Sequence, residues 1–380
     1  MKRPHIGIVS PEFPPDLGGV ENYALGYVRA LADLGYPVTV FTRRHPEGEI
    51  DLPAVQIRPE LKLRRVLDRK LLETPGIDAW HAMNAAYGWM AEETEKPVVV
   101  SVHGNDFLHA YQPITAPAFY RFGPLWRWEG RLRRMEKAWR KDTTSKLRRW
   151  LPQADCILTN SRYTERVLVE RIPACRGKTL PALVGVDPFF LSLPLSDTPR
   201  HRPPRLISVT RLSEPRKNIH RVLEALAGLR QFDFQYTVVG DGDERPRLEA
   251  LTKTLGLGEQ VAFTGSLSRE DLREQLRQAD LFILTSSILP TSHEGFGLVY
   301  LEAAACGVPS LAARLAGAAE AVAEGESGFF VDAPETPAIA SALKAFLNGE
   351  IHFERSTCRE FARGFSWERV VEKALPFYGC

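Results

Sequence analysis

The sequence predicts an α/β protein of two successive units, each a mostly parallel sheet wrapped by helices. Three observations predict it. Short β-rich runs alternate with longer helical patterns between residues 6 and 159. The pattern then breaks at 194–204 into Pro194, Pro199, Pro203 and Pro204 among polar residues, a linker composition. A second alternation of the same kind runs from 205 to 312. A chain of 380 residues is also long for a single domain.

Taken in order, the first unit offers β-rich runs at 6–9, 38–42, 79–81, 98–102 and 156–159, with an amphipathic helical pattern at 21–34. The second offers strands at 205–210, 235–239, 260–264, 281–285 and 309–312. Helical patterns lie between them at 219–229, 245–255, 269–278 and 297–306. A last amphipathic helix begins at Ser366 with little left to pair with locally, so it is expected to pack back on the first unit. Sheets of this kind bind ligands beyond the carboxyl ends of their strands, which makes the loops there, and a cleft between the two units, the predicted site.

Composition narrows the function. With 44% hydrophobic and 25% charged residues and a net charge of +2, the chain does not read as a nucleic-acid-binding protein. The cysteines at 156, 175, 306, 358 and 380 are scattered, with no Cys-x-x-Cys pair, which suits a reducing cytoplasm. The start, Met1 to Pro4 followed by a short apolar run ending at Pro11, reads as a first strand and not a signal peptide. No stretch approaches the ~18 apolar residues that span a bilayer.

Six loops carry candidate chemistry. His293-Glu294-Gly295-Phe296-Gly297-Leu298 leads into an apolar helical run that contains Glu302, eight residues after Glu294. If a helix starts near Gly297, its first N–H groups can hold an anion such as a diphosphate. A carboxylate beside an anion site would repel it, so Glu294 suits sugar hydroxyls and Glu302 a ribose. Embedding Glu302 among Leu301 and Ala303 to Ala305 is costly unless something pairs with it. The bland alternative is a helix cap and a surface residue.

Arg211 to Asn218 leaves the strand ending at Thr210, so its cations sit at a carboxyl end. Arg211 can grip phosphate oxygens in a fork and Lys217 can deliver a point charge, with Arg216 a further donor-binding candidate, unless the run is only a solvated loop. Gly240-Asp241-Gly242-Asp243 contains an Asp-x-Asp pair that could hold Mg²⁺ or Mn²⁺. The better reading is a glycine turn allowing close ligand approach, with no metal needed beside the cations. Thr264-Gly265 ends the next strand and could meet a nucleotide base. Gly18-Gly19 joins the first strand to the first helix and lets backbone N–H groups approach a phosphate or sugar; it is not Gly-x-Gly-x-x-Gly, which weakens a nicotinamide dehydrogenase. His103-Gly104-Asn105-Asp106 again follows a strand, and His103 is a candidate hydrogen-bonding partner for a sugar or a structural histidine.

The stretch 121–150 differs in kind, with many arginines and lysines interleaved with Trp126, Trp128, Trp139 and Trp150. An anionic lipid surface, a solvated helix with core tryptophans, and an anionic glycan acceptor are the readings it allows.

Together these elements resemble a retaining glycosyltransferase of family 4, with the two-Rossmann-domain architecture called GT-B. The likeness rests on Gly18-Gly19, His103-Gly104, Asn160-Ser161, Gly185-Val186-Asp187, Arg211 to Lys217, Gly240-Asp241-Gly242, the Glu294 and Glu302 pair, Gly317, Glu320 and Gly328. Glu-Pro-Arg-Lys at 214–217 is locally similar to phosphatidylinositol mannosyltransferases. The resemblance implies an N-terminal acceptor domain over 1–195, joined by a crossing-back helix at 365–380, and a nucleotide-sugar domain over 204–364. It implies a hexose moved from GDP-mannose or a UDP-sugar to a glycan or lipid-linked hydroxyl with retention, without cofactor or essential metal. A role in cell-envelope or glycan synthesis would fit, in the cytoplasm or on the inner face of its membrane. Arg211 and Lys217 would meet the departing diphosphate, backbone donors of Gly295, Phe296, Gly297 and Leu298 the phosphates, Glu302 the ribose, and Glu294 and His103 the sugar. Gly18, Gly19, Gly240, Gly242, Thr264 and Gly265 complete the donor contacts. Two rivals stand: a sugar-nucleotide 2-epimerase of the same fold, and a non-catalytic nucleotide-sugar-binding protein.

Overall fold

The computed structural model describes residues 3–14, 18–44, 52, 54–119, 129–195 and 203–379. It divides into two compact units. The first comprises Met1–Gly185, Pro290–Gly295 and Trp367–Cys380; the second comprises Val186–Leu289 and Phe296–Ser366. Residues 186–195 thus pack with the second unit, and the short loop 290–295 with the first.

The first unit is built on seven parallel strands: β1 (Ile6–Val9), β2 (Val38–Phe41), β3 (Val55–Arg58), β4 (Ala79–Ala82), β5 (Val98–Val102), β6 (Cys156–Thr159) and β7 (Thr179–Pro181). Their order is β3-β2-β1-β4-β5-β6-β7. The second has six: β8 (Arg205–Val209), β9 (Gln235–Val239), β10 (Val261–Gly265), β11 (Leu281–Leu284), β12 (Ser310–Ala313) and β13 (Gly328–Val331), in the order β10-β9-β8-β11-β12-β13. Both sheets reverse direction of winding at one place, between β1 and β4 and between β8 and β11. Loops diverge there and leave a crevice at the carboxyl ends.

The interior strands β1, β2, β4, β5, β6, β11 and β12 are buried at every position, as continuous apolar runs in parallel sheets require. The strands not foreseen from sequence are β3, β7 and β13. β3 and β7 are sheet edges, mostly half-buried and weakly patterned, and β7 ends in Pro181; β13 starts with a glycine.

The helix Trp367–Ala374 packs on the helix Gly19–Asp33 of the first unit. Glycines make the seat. A Cβ at Gly26 would lie 2.3 Å from the Trp367 ring, and one at Gly185 would lie 2.5 Å from it. Beyond the helix, Tyr378 is buried and its hydroxyl meets His81 Nδ1 at 2.6 Å and the Tyr27 hydroxyl at 2.8 Å. His81 Nε2 lies 2.8 Å from Ser101 Oγ, and burial lowers the His81 pKa to about 3, so the ring is neutral.

In the basic helix Glu129–Trp150 one tryptophan belongs to the core. Trp150 is fully buried in the core of the first unit, with the Arg65 guanidinium 5.3 Å from its ring, and Trp139 is half-buried. Trp150 therefore serves packing. Trp126 and Trp128 lie outside the described residues. The exposed face carries Arg131, Arg133, Arg134, Lys137, Lys141, Arg148 and Arg149, the last held bidentately by Glu92 at 2.7 and 2.8 Å. Among the described residues no helix is long and apolar enough to cross a membrane.

Candidate functional site

In the second unit the loops after β8, β9, β10 and β11 converge at the carboxyl ends beside the switch point. The loop after β8 carries exposed Arg211 and then a tight turn, Pro215–Lys217. Asn218 closes it in the left-handed conformation, φ 59°, one that asparagine tolerates better than most residues. Its Nδ2 donates to Thr285 O at 2.6 Å and to Ser287 Oγ at 2.8 Å, while Ser287 N donates to Arg216 O at 2.8 Å. The loops after β8 and β11 are thereby clipped together, and the backbone of Lys217 is held next to the clip. Arg211, Glu214, Lys217, His220 and Glu244 line a shallow open recess.

Arg216, expected among the donor-binding residues, is turned inward. It is 5% exposed and its Nε lies 2.6 Å from Glu214 Oε2. A desolvated guanidinium needs that carboxylate, so Arg216 shapes the loop while Arg211 and Lys217 remain accessible to solvent.

Gly240 and Gly242 are required by the backbone. A Cβ at Gly240, φ +127°, would stand 1.9 Å from Thr210 O, and one at Gly242, φ +150°, 2.4 Å from Leu212 C. The close approach is to the loop after β8. Leu212 N donates to Asp241 O and Glu244 N to Leu212 O, both at 2.8 Å. Asp241 accepts from Gly242 N at 2.8 Å and pairs with Arg245 at 3.4 Å, so its carboxylate is engaged locally. Among the described residues no group of three or more His, Cys, Asp or Glu is arranged to hold a metal ion. Gly265 pairs with Gly240 across the next loop, and Thr264 Oγ1 donates to Gly265 O at 3.0 Å.

After β11 the helix Leu298–Ala305 starts from Gly297, which adopts φ +94°. The backbone N–H groups of Phe296, Gly297 and Leu298 have no hydrogen-bond partner among the described residues. They form a set of donors at a helix start. One turn further in, Glu302 is 7% exposed and its carboxyl accepts no hydrogen bond among the described residues. Burial pushes its pKa up to about 7; Asp187 adds to the rise and Arg269 opposes it. Asp187 caps the turn Pro188–Leu191 through Phe189 N and is ion-paired with Arg269.

The first unit holds the remaining candidates. His103 follows β5, half-buried, and its Nε2 lies 3.1 Å from Met83 O. A carbonyl only accepts, so Nε2 carries the proton and Nδ1 is the acceptor of the neutral ring. Burial lowers the His103 pKa, with Asp106 and the Met83 bond opposing. The loop 290–295 packs on the same strand ends. His293 is buried, its N–H donates to Asn105 Oδ1 at 3.1 Å, and its Nε2 lies 3.3 Å from Thr164 Oγ1. Half-buried Glu294 follows it, then Gly295, where a Cβ would meet Asn160 Nδ2 at 2.4 Å and His103 O at 2.6 Å. Gly18 precedes the helix Gly19–Asp33, and the Glu21 carboxyl lies against it.

Eleven of the sequence-derived site residues thus lie in the second unit: Arg211, Arg216, Lys217, Gly240, Gly242, Thr264, Gly265, Phe296, Gly297, Leu298 and Glu302. Gly18, Gly19, His103, Glu294 and Gly295 lie in the first. Sequence reasoning missed the structural roles of Asn218 and His293 and the Asp187–Arg269 pair. An asparagine directly after the basic loop and before an apolar helix was the available signal for the first; nothing local marks the others.

Two parallel-sheet units wound in this way have the architecture of the GT-B glycosyltransferases. Residues 17–188 match the description "Glycosyltransferase Family 4" and residues 196–364 match "Glycosyl transferases group 1", and the chain belongs to this family. Among relatives, it is 27% identical to a GDP-mannose-dependent alpha-(1-6)-phosphatidylinositol monomannoside mannosyltransferase of Mycolicibacterium smegmatis, over 88% of this chain and 87% of that protein. It is 28% identical to a D-inositol 3-phosphate glycosyltransferase of Geodermatophilus obscurus, over 96% of this chain and 85% of that protein. Among solved structures, sucrose-phosphate synthase from Thermosynechococcus elongatus superposes with a TM-score of 0.72 at 23% identity, covering 99% and 98% of the two chains. The Anabaena protein HepE in complex with UDP-glucose gives 0.66 at 20%, covering 97% of each.

Proposed function

We propose that this glycosyltransferase moves a hexosyl group from a nucleoside-diphosphate sugar to a hydroxyl of a glycan or lipid-linked acceptor, with retention and without a metal. The observation that supports this most is the pairing, in the second unit, of anion-suited donors with a buried hydroxyl-suited acceptor. Arg211, Lys217 and the N–H groups of Phe296 to Leu298 suit a diphosphate; Glu302 suits the ribose. In the proposed front-face reaction the acceptor oxygen bonds to the anomeric carbon on the face from which the diphosphate leaves. The acceptor proton passes to the departing phosphate oxygen, and no protein nucleophile is used. Charge develops on the diphosphate, and fixed cations and N–H groups stabilise it. Glu294 and His103 Nδ1 are assigned to hydroxyls of the transferred sugar, and Gly18 and Gly19 to backbone contacts.

GDP-mannose and UDP-glucose are the first donors to test, since relatives and structural neighbours are named with them. Thermal-shift titration should raise the melting temperature selectively with one base. Ribose hydroxyls donate best to ionised Glu302, whose pKa lies near 7 in the free protein. Donor affinity should therefore fall as pH drops below 7, by up to roughly tenfold per pH unit, and flatten in Glu302→Gln. A pH-independent wild-type affinity removes Glu302 from the ribose. Isomerisation of the nucleotide sugar alone would instead favour an epimerase, and binding with no transfer to any acceptor a non-catalytic protein.

The exposed cations of helix Glu129–Trp150 support docking on anionic lipid at the cytoplasmic face of a membrane. Sedimentation with phosphatidylglycerol vesicles should be strong at low salt and lost at high salt. Absence of binding at low salt leaves this face as a solvated helix.

A further inference from the structure

The loop 290–295 carries Glu294, and its seat on the first unit is made by the segments that follow β5 and β6. Beyond β6, Ser161 caps the helix Arg162–Arg171 by accepting from Thr164 N at 2.9 Å. The Ser161 hydroxyl in turn donates to Thr164 Oγ1, also at 2.9 Å. Thr164 is fully buried, and these bonds leave its hydroxyl with one proton and one lone pair unused.

Both go to the chain neighbours of Glu294. Thr164 Oγ1 lies 3.3 Å from His293 Nε2 and donates to Gly295 O at 3.5 Å. One placement of protons meets all three groups: His293 Nε2–H donates to Thr164 Oγ1, and Thr164 donates onward to Gly295 O. With the ring proton on Nδ1 instead, the hydroxyl would turn to Nε2 and the carbonyl would lose its donor. Neither contact is needed to cap the helix. A single threonine hydroxyl thus holds residues 293 and 295 together.

The rest of the seat acts by shape and at one end of the loop. His293 N–H donates to Asn105 Oδ1, and its ring meets Tyr163 edge-on with centroids 5.0 Å apart. A Cβ at Gly104 would stand 2.6 Å from His293 Nε2, so glycine makes room for the ring. Asn160 stops Gly295 sterically; its Nδ2 donates to His103 O at 3.4 Å, and its Oδ1 is buried without a partner among the described residues. Asn160 therefore shapes the seat, while Thr164 supplies a bond on either side of Glu294. Half-buried Glu294 stands between two fixed residues, which limits where its carboxylate can be.

We propose that Thr164 is a positioning residue for the transfer reaction: its hydroxyl ties His293 to Gly295 and so sets where the Glu294 carboxylate meets the transferred sugar. The inference rests on the reading of Glu294 as a sugar contact and adds the group that places it. Thr164 itself touches no substrate.

The test compares the full wild-type chain with Thr164→Val, which removes the hydroxyl at nearly the same volume. Calorimetry gives Kd for UDP and UDP-glucose and for GDP and GDP-mannose, and the ratio within a pair isolates the sugar's share of the affinity. In the pair that binds, Thr164→Val and Glu294→Ala should each weaken the nucleotide sugar by roughly three- to tenfold relative to its bare nucleotide. The double variant should lose no more than Glu294→Ala alone, because Thr164 acts through Glu294. Thr164→Ser, which keeps the hydroxyl, should restore most of the ratio. Hydrogen exchange is the second measurement: residues 290–295 should exchange roughly tenfold faster in Thr164→Val, with the strands of the first sheet unchanged. If the strands also exchange faster, the same cycle is run with His293→Leu, which removes the other end of the tie. Unchanged exchange at 290–295, or losses that add in the double variant, overturns the proposal. A wild-type ratio in Glu294→Ala beside faster loop exchange in Thr164→Val instead defeats the sugar reading of Glu294, and the positioning role falls with it.

Discussion

Lys217→Ala lowers kcat by about 10²- to 10³-fold while the protein stays folded, the loss typical of removing one fixed stabiliser of a developing anion. The reason lies in the turn. Pro215 opens it, Lys217 N donates to Glu214 O at 3.1 Å, and Asn218 ties its end to Thr285 and Ser287. These contacts run through the backbone and Asn218, so they persist when the lysine side chain is truncated. The charge is then missing when the diphosphate departs, and ground-state binding suffers less than turnover. Lys217→Arg restores only part of the rate, because a planar fork does not reproduce a compact ammonium. Single-turnover transfer, beside the thermal midpoint, decides it; wild-type kcat in the alanine variant removes Lys217 from the leaving group.

Gly240→Ala destabilises the second unit by more than about 3 kcal/mol, because it combines a left-handed backbone with backbone overlap. The new methyl would stand 1.9 Å from Thr210 O and 2.9 Å from Thr210 C, atoms that no rotamer change can move. Relief means separating the loops after β8 and β9. That strains the bonds from Leu212 N to Asp241 O, from Glu244 N to Leu212 O and from Gly240 N to Gly265 O. Arg211 moves with its loop, so donor affinity falls as well. Gly258, where a Cβ meets nothing within 4 Å, is the matched control, and Gly258→Ala should stay within about 0.5 kcal/mol of wild type. Denaturant midpoints for the two variants measure the difference; equal midpoints reject the steric account.

What could be read from the sequence follows its local physics. Continuous buried runs such as Val98–Val102 and Cys156–Thr159 declare themselves as interior parallel strands, and Glu302 stands out because a carboxylate in an apolar helix is anomalous. The inward turn of Arg216 to Glu214 could not be read, since a run of charges does not say which one turns inward. Trp150 was ambiguous for the same reason: its neighbours are cationic, yet its own face is core. Gly240 was recognised as a position of close approach, but the approaching group is Thr210, which no spacing rule identifies. The seat of the loop 290–295 depends on Gly104, Asn160 and Thr164, well over a hundred residues earlier in the chain. Contacts of that separation leave no periodic trace.

The burial of Tyr378 against Tyr27 and His81 has a consequence for synthesis on the ribosome. The first unit cannot complete its interior when residue 185 emerges, because one of its buried hydroxyls is still nearly two hundred codons away. Throughout translation of the second unit, His81 and Tyr27 wait without that partner, in a fold whose neighbouring groups are costly to leave unsatisfied. Vectorial synthesis therefore finishes the later unit first and closes the earlier one last, and a ribosome stalled before Tyr378 holds a nascent chain with an unsealed first half.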